Sequence, residues 1–181
     1  IAAGHGRLIA AWTGLVDGRE RVLVAHARDG KWTVSYPVDR GLEGFSSEPS
    51  VAVSPADTVG VAWVHTNDSG AQLLYRGLTD TPEIIFETGA RVESPSLAYA
   101  DDGTAFVAWT EGAAGQFEVK AARRTGVGQW VVHDLSTTRP TYDIEPTVFT
   151  GSDSRIYWYA LDGQNFVLRS VQWEAGAWQP R

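Results

Sequence analysis

The sequence predicts an all-β protein, a β-propeller with four blades of four antiparallel strands each in this chain. A pattern of two apolar strands that end near a Trp occurs four times in the 181 residues, at intervals of about 50 residues. The predicted strands are short and rich in Val, Ile and aromatic residues, and Gly, Asp, Asn or Pro separates them. Helical spacing of apolar residues does not persist over the length of a helix anywhere in the chain.

The first two strands of each repeat are an inner strand and a second strand, which a turn joins. In three repeats the inner strand opens on a Pro followed by Ser or Thr, at Pro49, Pro95 and Pro146. The second strand ends near the repeated Trp, which is Trp12, Trp63, Trp109 or Trp158. The two strands of the four repeats cover residues 1–3 and 8–12, 48–53 and 59–63, 95–99 and 105–109, and 145–149 and 156–158.

The third and fourth strands complete each repeat. A polar loop with Gly follows each Trp, and a second turn separates the last two strands. The third strands cover residues 22–25, 73–75, 117–119 and 166–168, and the fourth strands begin near Trp32, Ile84, Trp130 and Trp178. Four short strands in a repeat of this length are typical of a propeller blade. A β-sandwich also contains strands that are buried on two faces, but it would not explain a fourfold repeat.

We interpret the chain as a single β-propeller domain or fragment, 1–181, with blades at approximately 1–40, 41–88, 89–137 and 138–181. The first repeat begins inside its inner strand at Ile1 and the sequence contains no Met, so we expect a processed form or a fragment. Three kinds of ring closure fit these repeats. The four blades close alone, the chain is a piece of a larger propeller, or several copies close the ring as an oligomer.

Composition excludes several classes of function. The net charge of −7 and the absence of a large Lys/Arg cluster argue against nucleic acid as a partner. The apolar runs are strand-sized, so membrane insertion is not expected. The chain has no Cys, and its four His residues fall at different places in their repeats, without the spacing of metal ligands. We predict no metal site, no cofactor and no catalytic residue.

The turns between third and fourth strands carry a family resemblance. The segments Asp29-Gly30-Lys31-Trp32, 126–130 and 174–178 keep the Gly and Trp of an Asp-box, whereas residues 79–84 have lost the motif. The repeats therefore resemble the sialidase-like (degenerate Asp-box or BNR-type) β-propeller family. In that family the Asp-box is a folding device, which implies that Trp32, Trp130 and Trp178 are core or hairpin residues. The four inner Trp residues are expected in the core, and Trp173 is the best candidate for an exposed Trp.

The connections between blades supply the candidate ligand-binding residues. Such connections reach one face of a propeller near its central channel, and here they repeat an Arg and a Glu close to the Pro of the next inner strand. The candidates are Arg40, Glu48, Arg91, Glu93, Arg139, Tyr142, Asp143 and Glu145. Tyr142 and its neighbouring carboxylates resemble the groups that a sialidase uses. In the alternative interpretation each Glu pairs with an Arg or caps backbone N–H groups where two blades meet.

We predict a non-catalytic binding or scaffold propeller that recognises glycans or protein partners. One alternative is part of a sialidase-like glycoside hydrolase, and another is a purely structural repeat array in a surface protein. The family resemblance, the absence of Cys and the missing start together indicate a secreted or cell-surface protein.

The repeat interpretation makes a prediction about any longer parent sequence. Because the inner strand of the first repeat is cut at Ile1, the residues immediately before it should resemble Glu-Pro-Ser. Sequencing the parent gene upstream checks this. An unrelated sequence would weaken the fourfold repeat, and an Arg-Ile-Pro motif would favour the sialidase-like alternative.

Overall fold

The computed structural model describes residues 1–34, 37–77, 80–136, 142–151 and 153–181. In this part of the chain all regular secondary structure is β, arranged as four antiparallel sheets of four strands each, with no helix. The strand order within each sheet follows the chain, so every connection inside a sheet is a hairpin. The predicted all-β propeller architecture, with four blades of four strands, is confirmed.

Each sheet is one blade, and its strands are given from the inner to the outer edge. Blade 1 consists of β1 (Ala2–Gly4), β2 (Arg7–Val16), β3 (Arg19–Arg28) and β4 (Lys31–Val34). Blade 2 consists of β5 (Phe45–Val53), β6 (Val59–Asn67), β7 (Gly70–Gly77) and β8 (Glu83–Thr88). Blade 3 consists of β9 (Arg91–Tyr99), β10 (Ala105–Ala113), β11 (Gln116–Gly126) and β12 (Gln129–Asp134). Blade 4 consists of β13 (Asp143–Phe149), β14 (Arg155–Asp162), β15 (Asn165–Glu174) and β16 (Ala177–Pro180).

Consecutive blades pack face to face, with their first strands closest to the common axis. Strand β5 contacts β1, β2 and β3 on one side and β9 on the other, and β9 in turn contacts β13. Three hydrophobic cores result, one between each pair of consecutive blades. Among the described residues no such core joins blade 4 to blade 1, so the array is open.

The repeated Trp residues of blades 2 to 4 fill the cores toward the preceding blade. Trp63 packs in the core between blades 1 and 2, Trp109 in the core between blades 2 and 3, and Trp158 in the core between blades 3 and 4. None of the three is more than 4% exposed. Side-chain direction alternates along a strand, so the residues on either side of each Trp face the following blade. Blades 2 and 3 therefore pack on a neighbour with both faces of their sheets, whereas blades 1 and 4 pack with one face each.

Three other Trp residues differ from the sequence-based expectation. Trp12 is 37% exposed and Trp32 is 53% exposed, because both lie on the face of blade 1 that no other blade covers. Trp173, expected at the surface, is partly buried in the core between blades 3 and 4. It packs edge-to-face on Phe106 and Trp178, at centroid distances of 5.7 and 5.2 Å.

The Pro motif of the inner strands forms a β-bulge. The pairing register shifts between Ser47 and Ser50 in blade 2, and corresponding shifts occur in blades 3 and 4. The residue before each Pro, Glu48, Ser94 or Glu145, has a positive φ of 50–55°. Non-Gly residues rarely adopt this conformation, and it turns the start of each inner strand relative to the rest.

Side chains of this motif join each inner strand to the next one. The Ser50 hydroxyl accepts the backbone N–H of Leu97 at 2.9 Å, and the Ser96 hydroxyl accepts that of Val148 at 3.0 Å. The carboxylate of Glu48 accepts the N–H of Ser94 at 2.6 Å. The repeated Pro-Ser sequence is therefore a connection between blades as well as a strand start.

A second connection braces blades 2 and 3 near their outer edges. The buried carboxylate of Glu83 accepts hydrogen bonds from the guanidinium of Arg124 and, at 2.9 Å, from the indole of Trp130. Burial raises the pKa of Glu83, but these hydrogen bonds outweigh it and hold the pKa below its usual range. Trp130 thus bonds to the preceding blade, and the Tyr75 and Tyr99 hydroxyls pair beside it at 2.6 Å.

The two Ser connections generate a stability prediction. Replacing Ser50 or Ser96 with Ala leaves the Leu97 or Val148 N–H without its partner between the blades. We expect each change to lower the free energy of unfolding by about 1–3 kcal/mol, measured by urea denaturation. Ser69→Ala, in the exposed β6–β7 turn, is the control and should change stability by less than about 0.5 kcal/mol. Equal effects at all three positions would contradict the connecting role.

Candidate functional site

One face of the array gathers the beginnings of the inner strands and the turns between second and third strands. Strands β5, β9 and β13 begin there at Phe45, Arg91 and Asp143. The hairpin turns at residues 17–18, 68–69, 114–115 and 163–164 lie at the same end of the sheets, because each inner strand pairs antiparallel with its second strand. We call this the entry face.

A polar cleft of about 700 Å³ opens on the entry face where blades 1 and 2 meet. Its walls come from the β2–β3 turn, the connection between the blades and the β6–β7 hairpin. The side chains that line it are Arg19, Leu42, Glu43, Phe45, His65, Thr66, Asn67, Asp68, Ser69 and Gln72. A second depression shares Arg19 and Gly41 with it and adds Asp17, Arg21 and Arg40. We call the two adjoining depressions together the groove; they carry cationic, anionic, amide and aromatic groups.

The floor of the cleft is a buried polar cluster between the two blades. The His65 ring, 2% exposed, pairs through Nδ1 with the hydroxyl of fully buried Ser46 at 2.9 Å. Arg21 donates to the carbonyl of Leu42 at 2.9 Å and lies 3.3 Å from the carboxylate of Asp39, which is also fully buried. Burial lowers the pKa of His65, against the opposing effect of hydrogen bonds to the backbone at Glu43 and Phe45. The cluster fixes the connection that carries Glu43 and Phe45.

The rim of the cleft carries an exposed ion pair. Arg19 donates to the Glu43 carboxylate at 2.7 Å, and this hydrogen bond lowers the pKa of Glu43, which is ionised at neutral pH. The ring of Phe45 is 56% exposed beside it. Across the cleft, Asn67 accepts the backbone N–H of Ser69 at 2.8 Å, which fixes the turn that presents Asp68.

The predicted ligand-binding residues of blades 1 to 3 lie at two different joints. Arg40 borders the groove between blades 1 and 2. Glu48 bonds to Ser94 in the next blade, and Glu93 forms an ion pair with Arg91 at the start of β9. These contacts are the ones that the alternative, joint interpretation expects of Glu48 and Glu93. The residue equivalent to Glu48 in blade 3 is Ser94, because Glu93 lies one position farther from its Pro.

The candidates of the fourth repeat are spread over different surroundings. Tyr142, 36% exposed, packs edge-to-face on Phe117 at 5.0 Å and lies 6.0 Å from the Phe166 ring. Asp143 is 3% exposed, while Glu145 lines a groove on the uncovered face of blade 4. Arg139 lies outside the described residues. The structure therefore does not bring the predicted Arg and Glu residues together around one described pocket.

Sequence reasoning missed the cleft and its floor. Residue 65 is His, two positions after its Trp, where the other blades have Gly14, Glu111 and Ala160. Position 46 is Ser, where blade 3 has Val92. These two departures from the repeat were the signal for the cleft in the sequence. A single His without a recognisable spacing to other polar residues does not predict a site.

Two further properties concern metals and membranes. The described residues contain no group of three or more His, Asp or Glu side chains arranged to bind a metal ion. In the acidic β9–β10 turn, the carboxylate of Asp102 accepts the backbone N–H of Thr104 at 2.8 Å, so it has a hydrogen-bond partner within the turn.

Within the described part of the chain, no helix has the length and apolar character that a bilayer-spanning helix requires.

Comparison with solved structures shows the same fold in enzymes that act on carbohydrates. A thermostable family-43 glycoside hydrolase superposes with a TM-score of 0.66 at 11% identity, over 97% of this chain and 71% of that one. An endo-arabinase from Bacteroides thetaiotaomicron gives 0.60 at 14% identity, over 91% and 70%. A family PL25 ulvan lyase gives 0.68 at 13% identity, over 100% of this chain and 53% of that one.

The sequence comparisons add no family. No protein-family model and no curated protein matches the sequence. The chain spans about half of the ulvan lyase and about 70% of the two hydrolases. At 11–14% identity these likenesses show the fold, a β-propeller of the kind found in glycoside hydrolases and polysaccharide lyases.

The neighbours correct the functional prediction. The main interpretation of the sequence was a non-catalytic binding or scaffold module. This prediction is wrong, because the structural neighbours are glycoside hydrolases and polysaccharide lyases. The interpretation rested on weak motifs and on the absence of a recognisable catalytic signature. Catalytic groups are recognised by their geometry in the fold, so a short local motif in the sequence is not required.

The buried His65 generates a prediction about pH. The unfolded chain binds a proton at His65 near the ordinary pKa of 6.5, whereas the folded protein does so only at lower pH. The contribution of neutral His65 to the free energy of unfolding is therefore complete above pH 6.5. It is lost as the pH falls toward the lower pKa of the folded state. We expect His65→Gln to flatten the decline of the unfolding free energy in that window, measured by urea denaturation. His5→Gln, in the exposed β1–β2 turn, should retain the wild-type decline; an unchanged slope in His65→Gln would contradict the prediction.

Proposed function

We propose that this chain forms much of the catalytic propeller of an enzyme that cleaves glycosidic bonds in a polysaccharide. The observation that carries the proposal is the polar cleft between blades 1 and 2, in a fold whose neighbours act on carbohydrates. A groove open at the surface accommodates a polymer, and its mixed lining offers many hydrogen-bonding groups. Binding and cleavage are assigned here to different sets of its residues.

Cleavage is assigned to the carboxyl groups of Glu43 and Asp68. Glycoside hydrolysis uses two carboxyl groups, one that protonates the departing oxygen and one that activates water or attacks the sugar. Glu43 is held ionised by Arg19, which suits the base or nucleophile. Asp68, on the β6–β7 hairpin, is then the proton donor. The bond between the anomeric carbon and the glycosidic oxygen breaks as that oxygen takes the proton of Asp68. The anomeric carbon then bonds either to a water molecule, which gives its proton to Glu43, or to the carboxylate of Glu43. In the second route a water molecule, deprotonated by Asp68, releases the sugar from Glu43.

Binding is assigned to Phe45, Asn67, Gln72 and Arg40. The half-exposed ring of Phe45 offers an apolar surface to the C–H face of a sugar, while the amides and the guanidinium can pair with hydroxyl or carboxylate groups. Phe45 and the cluster under it are fixed by the Ser46–His65 hydrogen bond. The site therefore has a rigid floor and a more exposed rim.

The sialidase-like version of this proposal is tested as a separate substrate class. A sialidase-like site requires several Arg side chains on one carboxylate, and Arg19, Arg21 and Arg40 are the described guanidinium groups that line this groove. Arg91 gives less support to a sialidase-like site, because its guanidinium pairs with Glu93 at the start of β9. Secretion or surface attachment would bring the proposed activity to polysaccharides outside the cell.

The carboxyl assignment predicts the effect of two isosteric substitutions. Glu43→Gln and Asp68→Asn keep the shape of the cleft but remove one acid–base group each. We expect each to lower kcat on the best substrate by about 100-fold or more, with oligosaccharide binding retained. The substrate is found by screening neutral polysaccharides, acidic polysaccharides and sialosides. Reducing-end release detects hydrolysis, and ultraviolet absorbance of an unsaturated sugar detects a lyase.

Asp101→Asn is the matched control, because Asp101 lies in the exposed β9–β10 turn at the opposite end of the sheets. It should retain full activity. Activity that survives both cleft substitutions would contradict the assignment of the site, and an unsaturated product would contradict hydrolysis. Oligosaccharides that bind by calorimetry without turnover, in every class screened, would contradict the catalytic proposal itself.

A further inference from the structure

The two carboxyl groups proposed for cleavage lie on segments that reach the cleft from different blades. Asp68 is in the β6–β7 turn of blade 2, whereas Glu43 is on the connection that leaves blade 1. The separation of two such groups decides the course of glycoside hydrolysis, because a water molecule must fit beside one of them when it acts as a base. Contacts that hold the connection against blade 2 therefore set a quantity on which the reaction depends.

Blade 1 holds the connection through two side chains of β3. Arg21 donates to the carbonyl of Leu42 at 2.9 Å, and Arg19 donates to the Glu43 carboxylate at 2.7 Å. Both contacts fix Glu43 relative to blade 1. Its position relative to Asp68 depends in addition on what joins the connection to β6, the strand that leads into the β6–β7 turn.

His65, on β6, makes this second contact. Its ring pairs through Nδ1 with Ser46, the residue opposite it in the register of β5 and β6, at 2.9 Å. Burial lowers the pKa of His65, whereas hydrogen bonds to the backbone at Glu43 and Phe45 favour the protonated ring. Bonds of that kind run from the ring to carbonyl oxygens, so His65 holds the backbone of Glu43 itself. Asp68 follows farther along the same hairpin.

Gly44 brings the connection close enough for this contact. Its φ of 111° lies in the region that favours glycine. A Cβ at this position would lie 2.2 Å from the carbonyl oxygen of Thr66 and 3.2 Å from the Cβ of Asn67. The backbone on the C-terminal side of Glu43 therefore packs directly on the end of β6, just before the turn that carries Asp68.

We propose that His65 is a positioning residue that sets the separation of the Glu43 and Asp68 carboxyl groups. This role rests on the proposed cleavage by those two groups. His65 is bonded to the backbone of Glu43 and lies on the hairpin that carries Asp68, so its ring joins the two segments. The ring is only 2% exposed, and the hydroxyl of Ser46 fixes it. His65 acts through Glu43 and not on the sugar.

A distance measurement without substrate tests the positioning. The chain has no Cys, so a single nitroxide can be attached at Ser69→Cys, in the exposed turn beside Asp68. The nitroxide should broaden the amide NMR signals of Glu43 and Gly44. We expect His65→Leu, which removes the hydrogen bonds of the ring, to weaken this broadening, and His65→Gln, which keeps a hydrogen-bonding group, to preserve most of it. Broadening that is the same in His65→Leu as in the wild type would overturn the proposal.

Kinetics test the consequence for the reaction. On the best substrate of the polysaccharide and sialoside screen, His65→Leu should lower kcat by about 10–100-fold, because a displacement of about 1 Å in a reacting group has effects of this size. KM should change by less than about threefold, since Asn67 and Gln72 stay on their own hairpin. His65→Gln should recover most of kcat. A rise in KM with unchanged kcat would replace the positioning role with a role in substrate binding.

Two Ser variants complete the series. Ser46→Ala removes the hydroxyl that fixes the ring, so it should shift the broadening and kcat in the same direction as His65→Leu but less, and it serves if His65→Leu does not fold. Ser96→Ala, at the joint between blades 3 and 4, is the control for lost stability and should leave both quantities at their wild-type values. Equal losses in Ser96→Ala and His65→Leu would contradict the role of His65. A wild-type chain without turnover in every class screened would instead refute the proposed function, and with it the role of His65 in catalysis.

Discussion

The structure depends on face-to-face packing of sheets that are apolar on both sides. A four-stranded blade with Trp63 on one face and Leu73 on the other cannot bury both faces within itself, so it buries both faces only between two neighbours, as blades 2 and 3 do. The repeated Trp supplies area toward the preceding blade, and the residues beside it supply area toward the following blade. Polar connections such as Glu83 with Arg124 then fix the lateral position of the sheets, which apolar contact alone leaves free.

The bulge before each inner-strand Pro couples this packing to the entry face. A non-Gly residue with positive φ costs on the order of 1–3 kcal/mol, so the surroundings must hold it in place. Glu48 is held from both sides, because its N–H donates to Thr13 in blade 1 and its carboxylate accepts from Ser94 in blade 3. After the bulge Ser50 connects the blades, and before it Ser46 and Phe45 build the floor and wall of the cleft. In β5 this bulge therefore separates a part that connects blades 2 and 3 from a part that lines the cleft.

The sequence predicts what repeats and does not predict what departs from the repeat. Apolar spacing around Trp63, Trp109 and Trp158 specifies strand order and core, since burial on both faces leaves few other arrangements. Exposure of Trp12 and Trp32 could not be predicted this way, because it depends on whether a neighbouring blade covers them. The cleft was missed for a related reason. Ser46, His65 and Asp39 come together only through packing of a connection against two blades, and no spacing in the sequence encodes that contact.

The position equivalent to Ser46 explains why the site belongs at the first joint. That position is Val92 in blade 3 and Asp143 in blade 4, and all three side chains are buried toward the preceding blade. Val92 closes its joint with an apolar contact, and Asp143 is buried next to Tyr142, whose ring packs on Phe117 of blade 3. The connection next to Ser46, residues 37–44, is held to blade 1 by Val38 and Asp39 and exposes Arg40 and Glu43 to solvent. A chemical site on a repeat fold needs such a break in symmetry, because identical joints present identical, fully packed surfaces. Tyr142 packs on Phe117 and Asp143 is buried, whereas Glu43 and Phe45 at the joint between blades 1 and 2 are exposed to solvent above a buried polar floor.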